Sequence, residues 1–142
     1  MAALDRFEVE DLLHEYLEAL DGNDRERFLA TFTPDATILI DYGTHTETYS
    51  GSDGLNEFHA PRGGTAFHLT TDSRVEWDGE TAIRSARFLA FPAAAADGIP
   101  VVRWIGRSRD TVVRTEAGWR ISLRELWVLQ GASPHPPQDG DG

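Results

Sequence analysis

From Val9 onward the apolar residues of the N-terminal segment recur at Leu12, Leu13, Tyr16, Leu17 and Leu20, the spacing of one face of an α-helix. That periodicity predicts a helix over Phe7 to Asp21, ended by Gly22 as its C-terminal cap. Asn23 and Glu26 have the spacing of a capping box and predict a second helix through Phe32, stopped by Pro34-Asp35. The period then changes. Ala36 to Tyr42 is β-branched and reads as a strand, and Glu47 to Tyr49 as a short second one. Ser52 or Asp53 can cap a third helix through His59, ended by Pro61 and Gly63-Gly64. Long strands follow over Ala66 to Trp77, Thr81 to Phe91, Val101 to Arg114 and Trp119 to Leu129, with turns at Asp78-Gly79 and Ala117-Gly118. Helices first and an antiparallel meander afterwards give an α+β class, in which the sheet wraps the helices and leaves a pocket between them. Pro92 to Pro100 is expected to be a loop forming a rim or lid, and residues 131–142 a disordered Pro/Gly/Asp-rich tail after one domain over residues 1–130.

One position breaks the pattern. Leu13, Leu17 and Asp21 share an i, i+4 row, so the Asp21 carboxylate points to the buried face at the negative end of the helix. Both surroundings disfavour a bare anion, which makes Asp21 a candidate general base. The plainer alternative is a helix-end carboxylate bonding the loop amides around Gly22 and Asn23.

Composition narrows the chemistry. With 142 residues, 40% of them hydrophobic, one domain with a real core is expected. The chain has no Cys, which excludes disulfides, thiolate catalysis and cysteine zinc sites. It has no Lys either; all 13 basic residues are Arg, so no lysine Schiff base can form, and carboxylates, five His and three Tyr remain for proton transfer. A net charge of −11 works against nucleic acid and anionic membrane, leaving a small organic substrate or a protein partner. No apolar run approaches the roughly 20 residues of a membrane span, and the first residues lack a signal-peptide profile, so a cytoplasmic protein is expected. His45, His59 and His135 are scattered without ligand spacing, and neither a metal nor a cofactor is expected.

The element order, with Phe32-Thr33-Pro34-Asp35-Ala36, Gly51-Ser52-Asp53-Gly54 and Gly118-Trp119-Arg120-Ile121, resembles the SnoaL-like branch of the nuclear transport factor 2-like superfamily over roughly residues 5 to 129. The resemblance implies a cone in which N-terminal helices pack in the concave face of a strongly curved antiparallel sheet, and a homodimer formed through the outer sheet face. That fold hosts isomerases, dehydratases, cyclases, epoxide hydrolases and non-catalytic modules. A narrower similarity, to the scytalone dehydratase family, rests on Asp21, on Ile40-Asp41-Tyr42 and on His68. It implies an Asp21–His68 hydrogen bond, His68 as the acid/base group and Tyr42 as the donor that polarises a substrate carbonyl. Leu20 stands where that family has a second pocket Tyr, and its second catalytic-region His falls near Phe91 or Pro92. Its Ser and Asn of the next strand fall near Gly106 and Ser108. A substrate more apolar than scytalone follows.

Tyr16, Phe88, Trp104 and Ser108 are expected at the substrate. Alternation from Trp119 through Ile121 and Leu123 also places Glu125 inward with Trp127, as a second acid/base candidate. Arg107 and Arg109 are expected on the surface, paired with Asp110 and other acids. The sequence therefore points to a cofactor-independent dehydratase, isomerase or cyclase acting on a small, apolar, polyketide-like or terpenoid carbonyl compound. The alternatives are a ligand-binding or interaction module of the same fold, or an epoxide hydrolase if Asp21 converges with Glu125 or Asp110.

Overall fold

In the computed structural model, which describes residues 3–78, 80–94 and 97–129, helix α1 runs Ala3–Asp21 and begins ahead of its apolar stripe. The expected tail at 131–142 lies outside the described residues, as do Gly79 of the first hairpin turn and Ala95 and Ala96 of the expected rim. Asn23 leaves α1 in the left-handed conformation at φ 55°, which Asn tolerates better than most residues. That removes it from the capping role expected of it. Asp24 caps α2 (Arg25–Leu29) instead, its side chain accepting from the Arg27 N–H at 3.2 Å. Helix α2 is correspondingly short, and Phe32 opens strand β1 (Phe32–Asp41) rather than closing a helix. Pro34 and Asp35 lie inside β1, in the stretch where its register against the last strand shifts, a place where a missing N–H is tolerated.

Strand β2 (Thr46–Ser50) leads into α3 (Gly51–Arg62), after which β3 (Ala66–Asp78), β4 (Thr81–Pro92), β5 (Trp104–Thr115) and β6 (Gly118–Val128) form the antiparallel meander the alternation predicts. The six strands make one sheet in the order β2-β1-β6-β5-β4-β3. It is antiparallel except where β1 lies parallel to β6, so the sheet is mixed. Helix α1 packs on β3, β4 and β6 within the curve of the sheet. Among the described residues no helix is long and apolar enough to cross a membrane.

Two irregularities decide which side chains face inward. In β3 the register shifts between Thr71 and Arg74, with Asp72 at φ 55°. Between β5 and β6, Val112 pairs with Ile121 but Thr111 pairs with Leu123, so Ser122 is an extra residue. Each bulge reverses the alternation beyond it and bends the sheet. As a result Arg84, Asp110 and Arg124 stand side by side on β4, β5 and β6, buried on the concave face.

The core centres on Phe28, whose ring lies 5.4 Å from Tyr16, 5.1 Å from Phe32 and 5.8 Å from Phe58. His59 packs on the same ring at 4.9 Å, and its buried Nε2 has no hydrogen-bond partner. Burial, followed by the Arg25 charge, pulls the His59 imidazole below its ordinary value. Native His59 thus binds a proton less readily than it does in the unfolded chain. Its contribution to stability is intact above about pH 6.5 and is lost as pH falls through the lowered native value. A His59→Leu variant is therefore expected to lose less Tm than wild type between pH 7 and pH 5. Parallel Tm curves for the two proteins would contradict this.

Candidate active site

The end of α1 and the start of β3 meet at one residue pair. The loop after α3 is tied back to α1 by a hydrogen bond from the Gly64 N–H to the Leu20 carbonyl at 2.9 Å, which brings β3 alongside Asp21. Asp21 Oδ2 accepts from the His68 backbone N–H at 2.8 Å, and Oδ1 lies 2.6 Å from His68 Nδ1. Both carboxylate oxygens are spent on a single residue. The alternative of an Asp21 carboxylate bonding the Gly22 and Asn23 amides is not the arrangement found; those amides bond Glu18 and Leu20 carbonyls. With the shared proton on Nδ1, the lone pair sits on Nε2, and the fixed ring presents that nitrogen as a base. The side chains are 17% and 20% exposed for Asp21 and His68, enough burial to strengthen the contact without sealing it.

His68 forms part of the wall of a cavity of about 400 Å³, and Asp21 sits behind it. Tyr16, Leu17 and Leu20 of α1 supply one side, with Phe58 of α3. Phe88 and Ala90 of β4, Trp104 of β5, and Leu126 and Val128 of β6 supply the other. Phe88 owes its place to Gly106 opposite it in the register: a Cβ at Gly106 would come within 2.4 Å of the Phe88 ring and of the Trp127 carbonyl. A mostly aromatic and aliphatic wall with a few polar groups is the usual make-up of a small-molecule site.

Tyr42 reaches the cavity from just beyond β1. Its ring stacks on His45 at 4.7 Å and meets Trp104 edge-on at 6.2 Å, and its hydroxyl lies 3.5 Å from Glu47 Oε2. Glu47 is held more firmly by Tyr49 at 2.8 Å and by Arg62 at 3.2 Å, so the Tyr42 hydroxyl is the loosely held member of this group. Arg124 also lines the cavity; it lies 4.3 Å from the Tyr16 ring centroid and donates to Asp110 at 2.6 Å. Burial pushes the Tyr16 phenol up, which keeps it protonated.

Among the site residues expected from sequence, Asp21 and His68 meet, and Tyr42, Tyr16, Phe88 and Trp104 line the same cavity. Two are placed elsewhere. Glu125 follows the bulge at Ser122, which hands the inward positions to Arg124, Leu126 and Val128. Its carboxylate instead faces Arg109 of β5, 4.0 Å away on the outer face. Ser108 is on the concave side but buried away from the cavity, with no partner for its Oγ. Asp110 is likewise not a surface partner of Arg107 and Arg109; it pairs with Arg124. Arg62, Arg103 and Arg124 are the charged cavity residues that the sequence did not point to as part of the site. The extra Ser122 hides the phase of Arg124, and only the third helix's extension past Pro61 brings Arg62 into place. Among the described residues no three His, Cys, Asp or Glu side chains gather as a metal ligand set would require.

The family model for the SnoaL-like domain matches residues 1–125. Compared with curated proteins, the sequence has no significant match. Among solved structures, a protein of unknown function with a cystatin-like fold from Nostoc punctiforme superposes with a TM-score of 0.79 at 18% identity, over 94% of this chain and 97% of the other. A protein provisionally named as an aromatic ring hydroxylase, from Novosphingobium aromaticivorans, has a TM-score of 0.75 at 28% identity, over 91% and 92% of the two chains. One provisionally named as scytalone dehydratase, from the same organism, has a TM-score of 0.73 at 20% identity, over 89% and 85%. These likenesses bear on the fold, and the geometry of the site has to carry the chemistry.

Proposed function

The chain belongs to the SnoaL-like domain family, and from that premise we propose that it is a cofactor-independent acid/base enzyme, a dehydratase, isomerase or cyclase acting on a small carbonyl compound. The observation that carries this is the two-point hold of Asp21 on His68 at the cavity wall, 2.6 Å to Nδ1 and 2.8 Å to the backbone N–H. His68 Nε2 takes a proton from the carbon next to the substrate carbonyl, and Asp21 stabilises the imidazolium that forms. The Tyr42 hydroxyl, free to turn from Glu47, donates to the developing enolate oxygen. The imidazolium then returns its proton, to a departing β-hydroxyl that leaves as water in a dehydration, or to another carbon in an isomerisation. The epoxide-opening alternative needs Asp21 to converge with a second carboxylate, but Glu125 faces the other way and Asp110 is paired with Arg124 outside the cavity wall. Binding alone does not require the Asp21 contact with His68 Nδ1, which is what favours proton transfer over a binding module.

The proposal extends to a cytoplasmic homodimer that covers Phe67 and Leu69 of β3 and Leu129, all exposed in the single chain. The reaction is tested by hydrogen–deuterium exchange at the α-carbons of 2-tetralone in D2O, a step common to all three reaction types. Wild type is expected to accelerate exchange over buffer and His68→Gln to return it to the buffer rate. A folded His68→Gln protein exchanging as fast as wild type would overturn the reading.

A further inference from the structure

The described cavity wall contains Arg62, Arg103, Arg124 and His68 but no Asp or Glu, in a chain where 24 acidic residues outnumber 13 basic ones. Two of the three guanidiniums are already matched: Arg62 meets Glu47 at 3.2 Å and Arg124 meets Asp110 at 2.6 Å. Arg103 is different. It is half-buried, and among the described residues no carboxylate lies within 4.0 Å of it. Other arginines without an ion pair among the described residues, such as Arg25, Arg74 and Arg107, do not line the cavity. A partly desolvated guanidinium at an apolar wall is costly until an anion joins it, and its planar fork suits a carboxylate.

Its position relative to the chemistry is set by the sheet. The Arg103 N–H donates to the Ala90 carbonyl at 2.7 Å. Ala90 is the register partner of His68 on one side and of Trp104 on the other, so His68, Ala90 and Trp104 form one row across the concave face. Neighbouring strands are about 4.8 Å apart, which separates His68 from Trp104 by about 10 Å along that row. The Arg103 guanidinium carbon lies 6.0 Å from the ring centroid of Trp104, the member of that row farthest from His68. A ring compound lying against Trp104 and Phe88 would thus reach His68 with one end and Arg103 with the other.

We infer that the substrate is a cyclic carbonyl compound bearing a carboxylate, and that Arg103 binds this carboxylate while His68 acts at the opposite end. This names the substrate class for the reaction proposed above and rests on the same cavity being the substrate site. Arg103 sets specificity and orientation and takes no part in the proton transfer.

The test is calorimetric titration with 2-naphthoate and its neutral analogue 2-naphthamide. Wild type is expected to bind the acid at least tenfold more tightly than the amide. Arg103→Gln should bring the two within about threefold of each other while leaving amide binding unchanged, and Arg103→Lys should restore part of the preference. Equal binding of the two probes by wild type, binding of neither at millimolar concentration, or a full preference in folded Arg103→Gln would each overturn the inference. His68→Gln separates it from the proposed reaction: that variant should keep the acid preference while losing exchange activity. A failure of the His68 prediction alone would leave the carboxylate site standing.

Discussion

Replacing Asp21 by Asn is expected to lower the exchange rate by about 10²–10⁴-fold, as much as removing the imidazole, the usual range for loss of a positioned acid/base group. The shape of the side chain is kept, so the effect isolates its bonding. Asp21 uses one oxygen for the His68 backbone N–H and the other for Nδ1. An amide has only one acceptor oxygen. If that oxygen stays on the backbone N–H, its NH2 faces Nδ1, which must then accept, and the imidazole proton moves to Nε2, where the base is needed. If the amide turns over, the backbone anchor of β3 is lost instead. Either way the ring is no longer an oriented base, and the imidazolium loses its counter-charge. Because the two residues act as one unit, Asp21→Asn combined with His68→Gln should be no slower than His68→Gln alone. Independent, multiplying losses, or a folded Asp21→Asn protein that keeps more than a tenth of the wild-type rate, would refute the orienting role. Binding of 2-naphthoate should change little in Asp21→Asn, since Asp21 stands behind the wall and Arg103 is untouched.

The fold was legible in the sequence wherever one face of an element is apolar and the other polar. The row Leu13, Leu17, Asp21 announced an inward carboxylate because Val9, four leucines and a tyrosine defined the face unambiguously. Where both faces are polar the period cannot be phased: Arg107-Ser108-Arg109-Asp110 alternates outward and inward, but with charge on both sides nothing in the residue types tells which is which. Glu125 failed for a related reason. Its phase was extrapolated from Trp119 and Ile121, and the extra Ser122 between them and it turns every later side chain over. Local turn chemistry was ambiguous by one residue, since Asn23 and Asp24 can both cap a helix and the left-handed exit from α1 takes the one that tolerates it better. The parallel pairing of β1 with β6 joins the two ends of the domain, and no local signal encodes it. The meeting of Asp21 with His68 was foreseen only through the family resemblance, because the two are 47 positions apart in sequence, with two helices and two strands between them.

The second large effect concerns stability and depends on register alone. Asp110 stands between Arg84 and Arg124 in one cross-strand row, with Arg124 Nη1 donating at 2.6 Å and Arg84 Nη1 3.9 Å away; none of the three side chains is more than 3% exposed. Glu10 of α1 gives Arg84 a second carboxylate at 3.0 Å, whereas Arg124 has only Asp110 within ion-pair distance among the described residues. Burial pushes the Asp110 carboxyl up against the pull of both guanidiniums. Removing the carboxylate therefore does more than delete a bond. Asp110→Ala leaves the Arg124 cation buried under Tyr16 with no counter-charge, and breaking a buried pair in this way costs about 3–5 kcal/mol. For a domain of this size that corresponds to a fall in Tm of about 10–15 °C. The penalty belongs to the orphaned cation, so adding Arg124→Met to Asp110→Ala should recover part of it, by at least about 1 kcal/mol, in urea unfolding measurements. If Asp110→Ala loses less than about 1 kcal/mol, or the double variant is less stable than Asp110→Ala alone, then the row is held by packing and the ion pair adds no stability of its own.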